Sequence, residues 1–284
     1  MNIGIIGDSC CDLNEELQNT MDVKIVPLQI TVDNVTYIDD ANLNMDNFRT
    51  ALKQTRSCSK SACPSPEAFA EAMREFDACV VVTLSSRLSG SYNAAVIAKD
   101  MVVEENPEKE IYVIDSLSAA SGETILAKTV YDELQSGKTL KEAVEIANKK
   151  RDNLKTIFVL EDLSTMMKNG RLNKIAGKVA TILSLRPILS DNGNGEITVR
   201  DKVRGTKNAL TKMCQQIHLE TENLAKSTVE LVITHCNCEE RAKEVKEEIL
   251  SLCPAIKNII IVGGHGISTV YGGQGGIITA FSVI

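Results

Sequence analysis

Short runs of β-branched residues alternate with helix-period segments through the first half of the chain. Each run is bounded by polar or turn-forming residues, which is typical of strands in an α/β protein. The predicted strands are residues 3–6, 24–30, 78–83 and 111–114. The predicted helices are residues 66–75, 91–105 and 121–135. Helices of this length can make right-handed crossovers between parallel strands, so we predict a parallel, doubly wound sheet.

A second α/β unit is predicted to begin after a charged helical segment. We place the boundary near residue 155, which gives an N-terminal domain of residues 1–155 and a C-terminal domain of residues 156–284. The elements predicted for the second unit are strands at 156–160, 196–199, 229–234, 258–262 and 277–284, helical segments at 163–185 and 239–252, and a hairpin turn at 190–195. The hairpin and the βαβ-like unit together predict a mixed sheet.

Composition narrows the possible functions. The chain has 284 residues, of which 38 are acidic and 31 are basic, and its aromatic residues are five Phe, five Tyr and no Trp. Because it offers neither a basic surplus nor many aromatic platforms for bases, we expect no nucleic-acid partner. No apolar run approaches the ~20 residues that span a bilayer, so we expect no membrane span and a cytoplasmic location. Nine Cys, with Cys10 and Cys11 adjacent, indicate reduced thiols.

Hydroxyl and carboxylate side chains directly follow three of the predicted strands. These clusters are residues 7–9, 85–91 and 115–118, and a fourth polar loop covers residues 57–65. Because ligands of open α/β sheets bind outside the carboxyl ends of the strands, the three clusters should meet in one crevice. Ser hydroxyls and the free N–H groups of a helix start can hold an anion without a dedicated Lys, so we infer a ligand with a negative end. The same residue types also serve as ordinary helix N-caps.

Motifs of known enzyme classes are incomplete. The residues around Ser89 do not form a Gly-x-Ser-x-Gly elbow, and the Gly-rich tail spells neither a dinucleotide fingerprint nor a P-loop. The cluster of His235, Cys236 and Cys238 lacks the paired spacing of a structural zinc site. These motifs therefore do not assign a catalytic activity.

Carboxylates offer one enzymatic alternative. Asp8, Asp12, Asp115 and the pair Asp39-Asp40 could gather Mg²⁺, which prefers oxygen ligands. Such a site would support a metal-dependent phosphoryl-transfer or hydrolytic reaction. In the other interpretation, Asp8 and Asp115 accept backbone hydrogen bonds within their own loops.

The apolar stretch at 163–185 could form one wall of a long cavity. Its apolar residues include Met166, Met167, Leu172, Ile175, Val179, Ile182, Leu183 and Leu185. Met is flexible and fills irregular apolar space, which suits a site for a hydrocarbon chain, although an ordinary core helix shows the same pattern. Arg171 lies within this stretch, and its guanidinium could pair with a carboxylate or phosphate of a ligand.

Six short motifs follow one another along nearly the whole chain. They are Asp8-Ser9-Cys10-Cys11-Asp12, Ser61-Ala62-Cys63-Pro64-Ser65, the segment 84–92, Asp115-Ser116, Lys168-Asn169-Gly170-Arg171-Leu172 and the Gly-rich segment near the C-terminus. In this order they resemble the motifs of the DegV family of fatty-acid-binding proteins. Six motifs in one order are far more specific than any one of them.

The resemblance implies a two-domain α/β protein that is not itself a catalyst and needs no cofactor. It implies one long-chain fatty acid as the ligand, with its tail inside the protein and its carboxylate near the cleft between the domains. In family members with a known role, the bound acid is presented to a separate fatty acid kinase. By position, Ser61 is similar to the family's head-group Thr, Ser89 with Gly90 to its Ser-Gly pair, and Arg171 to the Arg of its Lys-Gly-Gly-Arg segment.

The chain departs from the family pattern at two places. Tyr271 stands where the family usually has a His in its terminal Gly-rich segment. A phenol can donate a hydrogen bond, but it carries no positive charge at neutral pH. Ala62 and Cys63 replace the usual Ser-Gln in the head-group loop. We therefore expect Ser61, Ser89, Gly90, Arg171 and Tyr271 to contact the ligand.

Overall fold

The computed structural model describes residues 2–175, 177, 185–226 and 228–283 of the chain. The strands are β1 (Ile3–Asp8), β2 (Lys24–Val26), β3 (Gln29–Val32), β4 (Val35–Ile38), β5 (Lys60–Ala62), β6 (Ala78–Thr83), β7 (Ile111–Asp115), β8 (Leu154–Val159), β9 (Arg186–Asp191), β10 (Ile197–Val203), β11 (Val229–His235), β12 (Ile256–Gly263) and β13 (Ile277–Ser282). The helices are α1 (Glu15–Met21), α2 (Met45–Gln54), α3 (Pro66–Arg74), α4 (Ser91–Glu105), α5 (Ser121–Gln135), α6 (Leu140–Asp152), α7 (Ser164–Lys168), α8 (Thr206–Thr221), α9 (Glu239–Leu252) and α10 (Gly266–Gly272).

The N-terminal half forms the parallel sheet that the strand pattern predicts. Its strand order is β2-β1-β6-β7, and each neighbouring pair is parallel. β6 is buried along its whole length, which explains its continuous apolar sequence. Helices α1, α2, α3 and α6 start at side-chain caps: at α3, for example, the Ser65 side chain accepts a hydrogen bond from the Ala68 N–H, and Pro66 occupies the first turn.

The predicted strand at 24–30 is wrong as a single element. It divides at Pro27 into β2, which joins the parallel sheet, and β3, which belongs to a separate three-stranded antiparallel sheet of order β4-β3-β5. Proline lacks the N–H that a strand ladder needs, and it sits at the break between the two sheets. The next residue, Leu28, donates its N–H to Ser9 Oγ at 3.1 Å.

The small antiparallel sheet was not predicted from the sequence. A two-residue turn, Asp33-Asn34, joins β3 to β4, and both residues have positive φ, 46° and 69°. An Asp-Asn pair between β-branched residues is a hairpin signal that the strand pattern contained. On the other side of β3, Ser61 of β5 pairs with Ile30. The sheet therefore places Ser61 on a hydrogen-bonded strand, within a loop that was expected to be irregular.

The C-terminal half forms the predicted mixed sheet. Its strand order is β10-β9-β8-β13-β11-β12, in which β11 and β12 are parallel and the other neighbours are antiparallel. The hairpin between β9 and β10 is confirmed, and the final strand lies at the centre of the sheet, between β8 and β11. The first strand of this sheet begins at Leu154, whereas the division of the chain into domains at residue 155 stays a prediction.

The two large sheets share one core around α5. The residues of α5 from Ser121 to Ala127 are all buried, and the helix contacts strands of both sheets. One apolar cluster joins Ile5 and Val80 of the first sheet to Val232 and Ala280 of the second. In addition, Ser121 Oγ donates a hydrogen bond to the carbonyl of Ile278 at 2.9 Å. Burial on both sides of α5 therefore holds the two halves of the chain together.

The apolar stretch at 163–185 does not form one continuous helix in its described part. α7 ends at Lys168, and Gly170 follows with φ = +80°, a conformation that ends helices and that glycine adopts most easily. A short 3₁₀ turn covers Asn173–Ile175. Val179, Ile182 and Leu183 lie outside the described residues. Among the helices that the structure describes, none is long and apolar enough to cross a membrane.

Candidate binding site

The polar clusters after β1, β6 and β7 meet at one edge of the parallel sheet, as predicted. Asp8 accepts hydrogen bonds from the N–H groups of Cys10 and Leu84, both at 3.0 Å. Asp115 accepts one from the Ser86 N–H at 3.1 Å. Both carboxylates therefore organise the loops that follow the strands. These contacts support the hydrogen-bonding role of Asp8 and Asp115 over the magnesium-binding one.

The segment before α4 brings small residues to this edge. Ser89 Oγ accepts a hydrogen bond from the Ser91 N–H at 3.2 Å and lies 3.0 Å from Ser91 Oγ. Gly90 is the N-cap residue, and a Cβ added there would lie 2.9 Å from Sγ of Cys63. Because a side chain at position 90 would displace Cys63, glycine allows the loop that carries Cys63 to pack against the start of α4.

An apolar cavity of about 580 Å³, part of it open to solvent, lies beside these loops. Its apolar lining residues are Cys10, Leu28, Leu84, Leu88, Ala119, Ala120, Met166, Ile197, Ile267 and Ile278. Four of the predicted site residues, Ser61, Ser89, Arg171 and Tyr271, also line it, whereas Gly90 lies next to Ser89 without lining it. Residues from both halves of the chain therefore form this cavity.

Arg171, Tyr271 and Ser61 interact with one another at the cavity. Ser61 Oγ lies 2.8 Å from Tyr271 Oη, and the guanidinium carbon of Arg171 lies 5.6 Å from the centre of the Tyr271 ring. Arg171 also donates hydrogen bonds to the carbonyls of Leu88, at 3.2 Å, and Asn169, at 2.6 Å. These contacts use only part of the guanidinium's five donors and hold its orientation. The arrangement presents a fixed positive charge beside two hydroxyls.

A second apolar cavity of about 450 Å³ adjoins the first. The two share the lining residues Leu88, Ala119, Met166, Ile197 and Ile278. The second cavity also contacts Ser118 and Thr156, whose hydroxyl oxygens lie 2.7 Å apart, within hydrogen-bond distance, and the acidic residues Asp191 and Glu196. The two cavities therefore lie side by side, with Arg171 at one side, and together they are called the extended apolar space below.

Asp39 anchors the helix that carries Tyr271. It is buried and accepts hydrogen bonds from the N–H groups of Gly266 and Ile267, both at 2.8 Å, and from His265 Nδ1 at 2.5 Å. This hydrogen bond to Asp39 raises the pKa of His265 above its ordinary value. From the sequence, Asp39 was predicted only as a magnesium ligand. The structure instead shows a buried cap at the start of α10.

Three further carboxyl groups, those of Asp8, Asp12 and Glu123, are buried. Burial raises the pKa of Asp8 above its ordinary value, and it raises the pKa of Asp12 to about 7, although His265 N–H and Ser268 Oγ donate hydrogen bonds to Asp12. Burial also raises the pKa of Glu123 well above the usual range, and neither of its carboxyl oxygens has a hydrogen-bond partner among the described residues. Glu123 carries no signal in the sequence, because an acidic residue in the first turn of a helix is common.

The cysteine and histidine motif does not form a metal site in the described part of the chain. Cys236 is buried and its thiol donates to the carbonyl of Ser268 at 3.4 Å, and the Cys238 N–H donates to His235 Nδ1 at 3.3 Å. Within the described ranges, no group of three or more His, Cys, Asp or Glu side chains is placed to hold a metal ion.

Comparison with known proteins agrees with the fold and with the order of the motifs. The family model described as "Uncharacterised protein, DegV family" matches residues 2–281. The chain belongs to the DegV family. It is 31% identical, over 98% of its own length and 99% of the relative's, to a DegV domain-containing protein of Streptococcus pyogenes serotype M1.

Solved structures of DegV proteins are also similar to the chain. A DegV family protein of Ruminococcus gnavus, refined with vaccenic acid, is 38% identical, with 99% of each chain covered and a TM-score of 0.91. The Fatty Acid Kinase (Fak) B3 protein of Streptococcus pneumoniae, loaded with linoleic acid, is 30% identical, with 100% of each chain covered and a TM-score of 0.88. A DegV protein of Eubacterium eligens, loaded with heptadecanoic acid, is 26% identical, covers 99% of this chain and 100% of its own, and has a TM-score of 0.88. These DegV neighbours bind fatty acids, and their similarity confirms the α/β fold that the motifs implied.

Proposed function

We propose that this chain binds one long-chain fatty acid, with its tail in the extended apolar space and its carboxylate beside Arg171. The observation that carries the proposal is an apolar cavity lined, among its few polar side chains, by Ser61, Ser89, Arg171 and Tyr271. Binding of fatty acids by DegV proteins of similar structure supports the same ligand. We propose that the chain carries this ligand in the cytoplasm and is not itself a catalyst.

The tail supplies most of the affinity in this proposal. Burying a methylene group contributes ~0.8 kcal/mol, so a long acyl chain supplies on the order of 10 kcal/mol before the entropic cost of binding. The residues that the two cavities share are apolar and place no unpaired hydrogen-bonding side chain against the tail. Met166 adds an adaptable wall, because an unbranched thioether fills irregular space.

The polar residues select an acidic head group. A charged hydrogen bond contributes roughly 1.5–3 kcal/mol, and a carboxylate can accept several such bonds at once. The hydroxyls of Ser61 and Tyr271 already lie within hydrogen-bond distance of each other, so a carboxylate can accept from the hydroxyl that is not donating to its neighbour. The guanidinium of Arg171 neutralises the charge, which the phenol of Tyr271 cannot do.

We further propose that the bound acid is presented to a separate fatty acid kinase. The similarity over the full chain to the Fatty Acid Kinase (Fak) B3 protein supports this role. Tyr271 replaces the histidine of the family pattern, and here the positive charge near the head group comes from Arg171, stacked on the Tyr271 ring. A carrier that keeps its head-group site between two halves of the fold can expose the carboxylate while the tail stays buried.

Native mass spectrometry of the protein purified from a heterologous host tests the proposed ligand. We expect a co-purifying mass in the long-chain fatty-acid range, at one molecule per chain, which organic extraction removes. An empty protein that also fails to take up an added fatty acid would contradict the proposal, whatever its behaviour with Mg²⁺.

Ser89→Ala should weaken the binding of a fatty acid more than that of the matching alcohol or methyl ester. The variant removes one donor to a carboxylate, so we expect a loss of about 10- to 150-fold for the acid, and a much smaller loss for the two neutral ligands. Displacement of a fluorescent fatty acid measures all three. Ser86→Ala, in the same loop but not lining the cavity, is the control. Equal losses for all three ligands would show that Ser89 does not contact the carboxylate.

A further inference from the structure

A second, polar groove lies next to the head-group site, on the outer side of β5 and α10. It has a volume of about 1110 Å³, part of it open to solvent. The second half of α2, the segment after it, α7 and the end of α10 form its walls. Ser59, two residues before Ser61, and Val270, directly before Tyr271, line it. The groove is thus separated from the fatty-acid cavity by the strand and helix that carry two of the head-group residues.

Positive side chains dominate this groove. Arg49, Lys53, Arg56 and Lys168 line it, and Asp162 is the one acidic residue among the lining residues described. The carboxylate of Asp162 already accepts hydrogen bonds from the N–H and the hydroxyl of Ser164, at 2.8 and 2.7 Å. A chain with a net charge of −7 therefore concentrates four cations in one concave surface.

These cations have few partners within the protein. Among the described residues, Lys53, Arg56 and Lys168 form no ion pair. Within the described ranges, Arg49 forms an ion pair only with Asp46, at 3.4 Å. Because the Asp46 side chain is 96% exposed, this pair contributes little to the stability of the protein. The Nε of Arg49 is buried and has no hydrogen-bond partner among the described residues. The groove cations therefore keep hydrogen-bond donors that an acidic ligand in the groove can use.

We infer that this groove binds a phosphate group. A phosphate offers several acceptor oxygens to a planar guanidinium and to ammonium groups at the same time, and hydroxyls such as that of Ser59 can add further hydrogen bonds. No described residue lines both the groove and the fatty-acid cavity, so we assign the phosphate to a soluble phosphorylated molecule and not to a lipid whose tail fills that cavity. The inference rests on the groove's own residues and does not require the fatty-acid proposal to be correct.

Calorimetric titration with inorganic pyrophosphate at low ionic strength tests the groove. The double variant Lys53→Gln/Arg56→Gln should bind pyrophosphate about 10- to 100-fold more weakly than the natural protein, because it removes two charge-assisted contacts. The control Lys207→Gln/Lys257→Gln makes the same change in net charge at two exposed lysines that do not line the groove, and should stay within about twofold. Equal losses in the two double variants, or no binding by the natural protein, would overturn the inference for a soluble ligand.

Titration with dodecyl phosphate and with dodecanoate tests that the two sites are separate. We expect pyrophosphate to bind to protein already loaded with dodecanoate, and the groove variant to bind dodecanoate as tightly as the natural protein does. A loss of dodecyl phosphate binding in the groove variant but not in its control would show that the phosphate belongs to a lipid, and would overturn the assignment to a soluble molecule. If the groove variant binds pyrophosphate as tightly as its control does, the groove does not bind phosphate, while dodecanoate binding still reports on the proposed function.

Discussion

Replacing Ala119 with phenylalanine is expected to abolish the binding of long-chain fatty acids while the protein stays folded. Ala119 lines both apolar cavities, at the part of the wall that they share. A phenyl ring there would project into the space proposed for the tail and exclude the part of the tail beyond it. If about six methylenes lose their site, the loss is roughly 5 kcal/mol, or between three and four orders of magnitude in affinity.

Short acids give this prediction its sharpest test. An acid with about half as many carbons keeps its site beside Arg171, so its affinity should change far less than that of a long acid. Displacement assays across a series of chain lengths measure the difference, and thermal unfolding checks that the variant is folded. Ala225→Phe, at an exposed position, is the control. Undiminished binding of long acids by Ala119→Phe would show that the tail does not occupy this space.

Asp39→Ala should be the most destabilising single substitution near the head-group site. It removes a buried acceptor of three hydrogen bonds and leaves the start of α10 without partners for its N–H groups. Loss of one side of a buried charged pair costs about 3–5 kcal/mol of unfolding free energy. Because α10 carries Tyr271, binding of the acid should also weaken. Urea unfolding measures the first effect and ligand displacement measures the second.

The pH dependence of this loss has a defined direction. The hydrogen bond to Asp39 raises the folded-state pKa of His265, so the stability that this pair adds is present in full below the unfolded value of about 6.5 and is lost as pH rises through the folded pKa. The difference in stability between the natural protein and Asp39→Ala should therefore shrink as pH rises through that range. Asp40→Ala, at the neighbouring position, should cost less than about 1 kcal/mol. A similar cost for both variants would contradict the anchoring role of Asp39.

Local patterns predicted most of the large sheets. β6, α4 and α5 match the predicted residues, because a run of apolar residues or a 3.6-residue period follows directly from which side chains are buried. The small antiparallel sheet was not predicted, because its formation depends on residues that are distant in the sequence. β5 has three residues, two of them polar, and it forms a strand only because β3, about thirty residues earlier, supplies the hydrogen-bond partners.

The residues of the candidate site could be predicted from the sequence, but the contacts between them could not. The motif order pointed to Ser61, Ser89, Arg171 and Tyr271, and all four line one cavity. The contact between Ser61 and Tyr271 joins residues 210 positions apart, so no local pattern could indicate it. For Asp39 the local sequence led to a wrong prediction. Its neighbours in the sequence suggested a metal ligand, whereas its hydrogen-bond partners lie more than 225 positions away.

The sequence by itself determined the alternation of strands and helices, the hydroxyl-bearing loops at the strand ends and membership of the DegV family. Hydrophobic periodicity and short motifs are properties of neighbouring residues, so they can be recognised without knowledge of the fold. The tertiary structure alone decided which of these groups meet. Packing both sheets against α5 brings the carboxyl edge of the first sheet to the loops of the second half, and this non-local burial creates the cavity, the position of Arg171 over Tyr271 and the positive groove beside them.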